Sequence, residues 1–225
     1  MIFLQSSVSQ LIINQLSETT WLEWLGTISG FTCVYLAAKQ NIWNWPIAII
    51  SVLAYSVLFY DYQLYGDAIL QLYFLATSVY GWYYWNKRKN DHSKPIVSLN
   101  TTEWFKVIST IIFLAAVLGY ILDHYTDTNV PYADGFCTSM SFVAQFLMTR
   151  KVLQNWIFWI IVDICYVPLY LYKDLGLTAV LYTLFLALAV MGYLAWGKSY
   201  RKMEAELGRR KSEDRISELK AETDY

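Results

Sequence analysis

Two stretches of this sequence, NWPIAIISVLAYSVL at residues 44–58 and NWIFWIIVDICYVPL at residues 155–169, decide the fold. They begin with the same Asn-Trp pair and lie 111 positions apart. At this offset Phe31–Lys87 aligns without gaps with Phe142–Lys198, and 18 of the 57 paired positions are identical. The identical pairs include asparagine, glycine, lysine and tryptophan, which a shared apolar composition alone would rarely align. The sequence therefore predicts an internal duplication.

The composition predicts a membrane protein. Hydrophobic residues make up 56% of the 225 positions and charged residues only 16%, whereas a soluble domain carries about 25% charged residues. The formal net charge of -1 excludes the basic footprint of a nucleic-acid-binding protein. The three cysteines lie inside apolar runs, and the sequence shows no cluster of metal-ligating residues. We therefore expect no nucleic-acid partner, no metal and no cofactor.

Seven segments are long enough to cross a bilayer, which takes about 17–25 mostly apolar residues per helix. They are residues 21–38, 43–60, 67–85, 104–122, 135–149, 155–172 and 176–196. We predict an all-α membrane protein of seven transmembrane helices, arranged as two parallel three-helix repeats plus a linker helix (3+1+3). The predicted parts are an N-terminal interfacial segment (1–20), repeat one (21–87), the linker with its helix (88–134), repeat two (135–198) and a charged tail (199–225).

The charges of the loops predict the orientation. Alternate connections are basic, and they carry Lys39, then Lys87, Arg88, Lys89 and Lys94, then Arg150 and Lys151, and finally Lys198, Arg201 and Lys202. The remaining connections are acidic or balanced. The positive-inside rule then places the N-terminus in the periplasm and the C-terminus in the cytoplasm, with the tail as a solvated helix. Most of the tryptophans fall near predicted span ends, which is typical of an aromatic belt.

Short motifs in both repeats resemble those of the Pnu family of bacterial vitamin transporters. These motifs are Glu23 with Gly26-Thr27-Ile28-Ser29-Gly30, Tyr65, Gln71, Tyr80-Gly81-Trp82, Trp85, Met148-Thr149-Arg150-Lys151 and Asn155-Trp156. The resemblance implies a fold similar to that of the sugar-transporting SWEETs, a homotrimer, and facilitated diffusion of an unphosphorylated vitamin across the inner membrane. It also implies functional coupling to a cytoplasmic vitamin kinase, which traps the vitamin by phosphorylation. In this family the PnuC branch carries nicotinamide riboside and the PnuT branch carries thiamine.

Polar side chains at membrane depth are costly, so each one is a functional candidate. Asn155, Trp159 and Asp163 recur every four residues and therefore share one face of the sixth predicted helix. A cationic aromatic ring can stack on the indole while the carboxylate of Asp163 supplies the opposite charge. The alternative for Asp163 is a protonated side chain bonded to a neighbouring helix. The alternative for Asn155, as for Asn44, is a helix cap.

Five further residues are candidates for the substrate site. Gln71 follows the family motif and Gln145 is a second amide within a span, although either amide can instead join helices of the bundle. Tyr55 and Tyr166 occupy equivalent repeat positions, where they line two halves of one cavity or pack in the core. Tyr182 pairs with Gln71 at the repeat offset, so we expect it to face the same cavity.

These features favour a small-solute transporter over an intramembrane enzyme, which would need an HExxH motif, a Ser/His pair or two aspartates at membrane depth. The expected partners are the lipid bilayer and a small cationic aromatic B-vitamin. By resemblance, the family's nicotinamide riboside carriers have Asn where this chain has Asp163. We therefore predict thiamine, whose aminopyrimidine suits a carboxylate, with nicotinamide riboside as the alternative. Asp163 is the only acid in the middle of a span, so we predict passive transport.

Overall fold

The computed structural model describes residues 20–61, 65–88, 96–126, 128, 130–172 and 176–223. Within these ranges the chain forms seven α-helices, which confirms the seven predicted helical segments. They are α1 (Trp21–Ala38), α2 (Asn44–Asp61), α3 (Tyr65–Arg88), α4 (Thr101–Tyr125), α5 (Pro131–Thr149), α6 (Asn155–Tyr172) and α7 (Gly176–Thr223). The predicted N-terminal segment 1–20 lies outside the described residues except for Thr20.

Side chains fix the starts of α1 and α4. The Thr20 hydroxyl accepts a bond from the Glu23 N–H (3.3 Å), and the Glu23 carboxylate accepts one from the Thr20 N–H (2.6 Å). Asn100 and Glu103 form the same reciprocal pair at the start of α4. Such capping boxes satisfy N–H groups that have no partner inside the helix. Glu23 therefore has a structural role in this chain.

The turns before α2 and α6 have the same construction, 111 residues apart. Gln40 and Lys151 both adopt a φ of 56°, a left-handed conformation that is uncommon outside glycine. The N–H of Gln40 donates to the carbonyl three residues earlier (2.9 Å), and the next N–H donates to the carbonyl five residues earlier (2.9 Å). The same two bonds form at Lys151, with lengths of 3.0 Å and 3.0 Å. The duplication therefore extends to the backbone hydrogen bonds.

The helices pack in two groups, which we call the first half (α1–α3) and the second half (α5–α7). Within each half every helix contacts the next one along the chain, and α4 packs on α5. Two contacts join the halves, namely α1 with α7 and α3 with α5. At the repeat offset α1 corresponds to α5 and α3 to α7, so the two contacts between the halves are equivalent to each other.

Polar and apolar side chains are distributed as expected for a protein surrounded by lipid. Asp163 and Asn155 are buried, whereas Phe105, Ile112 and Phe113 on α4 are 63–75% exposed. A large apolar surface of this kind marks a membrane or partner contact. By length and composition, two of the described helical stretches can cross a membrane, Thr101–Tyr125 and Thr178–Ile216, and two shorter apolar stretches are Asn44–Leu58 and Asn155–Leu169.

A short linker segment, residues 96–99, is bound to the turn before α6. The Val97 N–H donates to the Lys151 carbonyl (3.0 Å), and the Leu153 N–H donates to the Val97 carbonyl (2.8 Å). The Gln154 side chain donates to the Ser98 hydroxyl (2.7 Å) and accepts from the Leu99 N–H (3.1 Å). The segment that leads into α4 is therefore attached to the second half.

The last helix is longer than its predicted membrane span. The sequence predicts a span over 176–196 followed by a separate charged helix, whereas α7 continues without a break to Thr223. The side chains of Lys211–Arg215 in this extension are exposed, and Arg209 pairs with Glu213 one turn later (3.6 Å). The span and the tail therefore form one rod of 48 residues.

Candidate functional site

The predicted column on α6 lies inside the protein. Asn155 is 0% and Asp163 4% exposed. Trp159 is partly buried and packs against two clusters of buried apolar side chains, one that includes Trp156 and one that includes Val162. No described residue forms a hydrogen bond or an ion pair with the Asp163 carboxylate. Because a buried carboxylate without a partner is expensive, Asp163 has the properties of a group that meets a cationic or hydrogen-bonding ligand.

Asn155 also contributes to the fold. Its side-chain N–H donates to the Val152 carbonyl (2.6 Å), which closes the turn before α6. Its Oδ1 is buried and has no hydrogen-bond partner among the described residues. The predicted helix cap is therefore not formed, because a cap requires the side-chain oxygen to accept an N–H of the first turn, and the amide of Asn155 instead donates to the preceding turn.

The predicted tyrosines lie in two places. The Tyr166 and Tyr182 rings pack edge to face, with centroids 5.1 Å apart, and so connect α6 with α7. Tyr55 instead faces α1, where its hydroxyl is 3.0 Å from the Thr27 hydroxyl and its ring covers Gly26. Although Tyr55 and Tyr166 are equivalent in sequence, the described contacts do not bring them together.

The two predicted glutamines flank the contact between α3 and α5. At this contact the Tyr73 hydroxyl donates to the Phe142 carbonyl (2.7 Å), and the two rings lie 4.5 Å apart. Gln71 is two residues from Tyr73, Gln145 is three residues from Phe142, and both side chains are half-buried. No contact in the described part of the chain joins either glutamine to Asp163.

Four tryptophans form a cluster that the sequence interpretation missed. Trp45, Trp85, Trp156 and Trp196 are 0–3% exposed, so the aromatic-belt prediction is wrong for them, although it fits the exposed Trp21 and Trp43. Successive rings lie 5.3 Å (Trp45–Trp85), 6.0 Å (Trp85–Trp196) and 5.5 Å (Trp156–Trp196) apart. The signal that identifies them is the duplication, because all four occur as identical pairs at the repeat offset. We call this group the tryptophan cluster.

The tryptophan cluster connects the two halves by hydrogen bonds. The Trp85 indole N–H donates to the Thr149 carbonyl at the end of α5 (3.1 Å), and the Trp196 indole N–H donates to the Ala37 carbonyl near the end of α1 (3.0 Å). Trp45 lies over Gly81, where an added Cβ would be 2.5 Å from its ring. Trp156 covers the equivalent Gly192 in the same way, at 2.6 Å. Both glycines are thus required by close packing.

Basic side chains surround the same end of the molecule. The Lys151 ammonium lies 4.5 Å from the centroid of the Trp85 ring, and the Arg150 guanidinium lies 4.8 Å from Tyr84 and 5.3 Å from Tyr80. Such cation–π contacts hold the charges at the edge of the apolar core. Arg150 and Lys151 therefore lie at the same end of the helix bundle as the tryptophan cluster.

Comparisons with known proteins agree on one family. A family model described as "Nicotinamide mononucleotide transporter" matches residues 20–198. The "Nicotinamide riboside transporter PnuC" of Escherichia coli (strain K12) is 25% identical over 211 residues, which cover 82% of this chain and 88% of that protein. The protein of the same name from Neisseria mucosa is 26% identical over 207 residues (86% and 78%). The "Riboflavin/roseoflavin transporter RibM" of Streptomyces davaonensis is 25% identical over 180 residues (78% and 84%).

A solved structure shares the fold. The crystal structure of the "Vitamin B3 transporter PnuC" superposes with a TM-score of 0.68 and covers 90% of this chain and 92% of that chain. Its sequence identity of 24% is low, so the likeness is one of fold. It extends over nearly the whole helix bundle.

Proposed function

The chain belongs to the nicotinamide mononucleotide transporter family, and from this premise we propose that it carries a vitamin across the bacterial inner membrane by facilitated diffusion. The observation that carries the proposal is the match of the family over residues 20–198, which extends from the start of α1 into α7. The relatives described above are named transporters, so an intramembrane enzyme is the less favoured alternative.

Nicotinamide riboside is the substrate that the relatives favour. The prediction of thiamine is not supported, because the relatives above are named for nicotinamide riboside and riboflavin. The physical reason for the error lies in Asp163. A carboxylate stabilises a pyridinium ring as well as an aminopyrimidine, so its charge selects cationic aromatic vitamins as a class and does not separate two members of that class.

Riboflavin is the second candidate, because one relative is named for it. Riboflavin and nicotinamide riboside both join a flat ring to a chain or ring of hydroxyl groups, but only nicotinamide riboside is a cation. A carboxylate at the buried position of Asp163 attracts the full charge of the cation, whereas riboflavin offers it only neutral N–H and O–H donors. This difference supports nicotinamide riboside for the present chain.

In the proposed site the α6 column holds the vitamin ring. Trp159 stacks against the ring, Asp163 supplies the opposite charge, and the free end of the Asn155 amide bonds a polar substituent. Gln71, Gln145, Tyr182, Tyr166 and Tyr55 complete the lining of the pathway in this proposal. What supports it is the burial of the column together with the lack of a bonding partner for Asp163 among the described residues.

The proposed architecture is the 3+1+3 plan with two parallel halves. It is supported by the equivalent turns at Gln40 and Lys151 and by the equivalent contacts between the halves. In the proposed orientation the end with the tryptophan cluster faces the cytoplasm and the N-terminus lies in the periplasm. What supports this orientation is the basic side chains near the tryptophan cluster together with the positive-inside rule. Assembly as a homotrimer and coupling to a cytoplasmic vitamin kinase remain part of the proposal on the strength of the motif resemblance.

Binding and uptake measurements test the substrate and the site together. Proteoliposomes containing the protein should equilibrate labelled nicotinamide riboside faster than riboflavin or thiamine. Asp163→Asn removes the charge at constant volume. The loss of a charge-assisted bond of about 1.5–3 kcal/mol should lower the affinity for nicotinamide riboside about ten- to more than hundredfold. Asp134→Asn is the matched control, because Asp134 lies in the first turn of α5 and bonds to Thr128 (2.8 Å). Equal affinity in wild type and Asp163→Asn would exclude Asp163 from the site.

A further inference from the structure

We propose that Trp85 and Trp196 form a gate at one end of the substrate pathway, and that their two hydrogen bonds between the halves break each time this end opens. The proposal rests on the proposed transport function, since a gate has meaning only for a pathway. It assigns a role to side chains outside the α6 column. Its starting point is that the halves are joined at this end by two bonds of the same kind.

The two bonds are placed where they hold the halves together. Trp85 lies on the third helix of the first half and bonds to the end of α5, which is the first helix of the second half. Trp196 lies on the third helix of the second half and bonds near the end of α1. Each half therefore donates one bond and accepts one. A movement that separates the halves at this end breaks both bonds at once.

The other two tryptophans brace the gate without bonding across it. The rings of Trp45 and Trp156 meet their neighbours at 90° and 85°, and each lies against a glycine of its own half. Their indole N–H groups are buried and have no hydrogen-bond partner among the described residues. Trp45 and Trp156 are thus matched to Trp85 and Trp196 in ring and burial, and they differ from them in the bond between the halves.

Unpaired polar atoms favour opening. Both side-chain polar atoms of Asn44, the Oδ1 of Asn155 and the indole nitrogens of Trp45 and Trp156 are buried without a partner in the described part of the chain. Such atoms oppose the closed arrangement, because burial deprives them of water. When this end opens, hydration of these atoms compensates part of the loss of the two indole bonds. This compensation reduces the free-energy difference between the closed and the open arrangement.

The competing explanation is that the tryptophans are static packing. In that case each indole bond stabilises only the turn that accepts it. Amide hydrogen exchange separates the two explanations, because exchange measures local opening and needs no vitamin. The relevant segments are residues 36–42 and 147–153. The amides of Gln40, Asn41, Lys151 and Val152 bond within their own turns, whereas the Leu153 N–H donates to the Val97 carbonyl of the linker.

The test compares four single variants of the full chain in vitamin-free proteoliposomes. Trp85→Phe and Trp196→Phe each remove one bond between the halves, and we expect each to raise amide exchange about two- to twelvefold in both segments, since one net hydrogen bond has that effect on an equilibrium. Trp45→Phe and Trp156→Phe remove the same atoms from the same cluster without breaking a bond, and each also removes a buried N–H that opposes the closed arrangement. We therefore expect exchange in these two variants to stay constant or to fall.

Two results would overturn the gate. One is faster exchange only in the segment that loses its donor, at 147–153 for Trp85→Phe and at 36–42 for Trp196→Phe. The other is an equal increase in all four variants, which would attribute the effect to lost ring volume. Uptake is measured separately. If the protein carries no vitamin but Trp85→Phe and Trp196→Phe each raise exchange in both segments, the proposed function is wrong and the proposed opening of this end is retained.

Discussion

Gly81 offers a direct test of the packing around the tryptophan cluster. Replacing it with alanine adds one methyl group, and this Cβ would lie 2.5 Å from the Cη2 and Cζ2 atoms of Trp45. Trp45 has little room to move, because it is 2% exposed and its other neighbour is Trp85. Overpacking of this kind costs about 1–3 kcal/mol. The gain in helix propensity from glycine to alanine offsets about 0.5–1 kcal/mol of this overpacking cost.

The expected net loss for Gly81→Ala is therefore about 0–2.5 kcal/mol, obtained by subtracting the propensity gain from the overpacking cost. In a chain of this size each kcal/mol corresponds to about 2–4 °C in the unfolding midpoint. The assay is thermal unfolding in detergent, followed by tryptophan fluorescence. Gly192→Ala repeats the experiment at the equivalent position, where the added Cβ would lie 2.6 Å from the Trp156 ring.

Gly197→Ala is the matched control. It makes the same substitution within α7, and the Cβ that it adds has no neighbour within 4 Å beyond the adjoining residues and the backbone of its own helix. The midpoint of this variant should stay constant or rise, because only the propensity gain of about 0.5–1 kcal/mol remains. If Gly81→Ala and Gly197→Ala shift the midpoint equally, the close contact between Trp45 and α3 does not constrain the bundle and the reasoning is refuted.

Three further expectations follow from the orientation, the transport mode and the linker. A phosphatase that is active only in the periplasm should be inactive when fused after Trp196, whereas a fluorescent protein at that position should be bright; active phosphatase would reverse the proposed orientation. Proteoliposomes should equilibrate nicotinamide riboside in both directions without an ion gradient, and accumulation that an ionophore abolishes would contradict passive transport. Gln154→Leu removes both side-chain bonds to residues 98–99 and leaves the Leu99 N–H without its partner, so it should destabilise the protein by about 1–3 kcal/mol in thermal unfolding. Gln154→Glu keeps an oxygen acceptor for the Leu99 N–H and should therefore lose less stability than Gln154→Leu.

The parts of the fold that depend on local pattern could be predicted from the sequence. The bounds of α1 and α6 follow from the lengths of their apolar runs, and the equivalence of the two turns follows from the duplication. The helix of the tail was also expected. The fusion of this helix with the last span differs from the prediction. The change from apolar to charged residues near Lys198 marks the end of the span, but no residue there ends the helix.

The parts that depend on long-range pairing could not be predicted. The bond from Trp85 to Thr149 joins an indole to a backbone carbonyl, and a carbonyl is present at every residue, so no sequence pattern marks the acceptor. The two bonds of Val97 in the linker likewise join backbone groups of residues far apart in the chain, which no sequence pattern marks. The tryptophans at span ends looked like lipid anchors because a single sequence does not show which face of a helix meets another helix. The site residues of α6 stay a prediction, supported by their burial.

The equivalence of the α1–α7 and α3–α5 contacts has a consequence for smaller chains. A surface formed by the first helix and a surface formed by the third helix are complementary, and one three-helix unit carries both. Two separate copies of such a unit can therefore meet in an isologous, two-fold symmetric dimer, with each surface used once by each copy. In the proposed 3+1+3 plan, α4 supplies the extra membrane crossing that brings the second unit to the same orientation. A half-length protein made of α1–α3 alone should thus be able to assemble the pathway from two identical subunits.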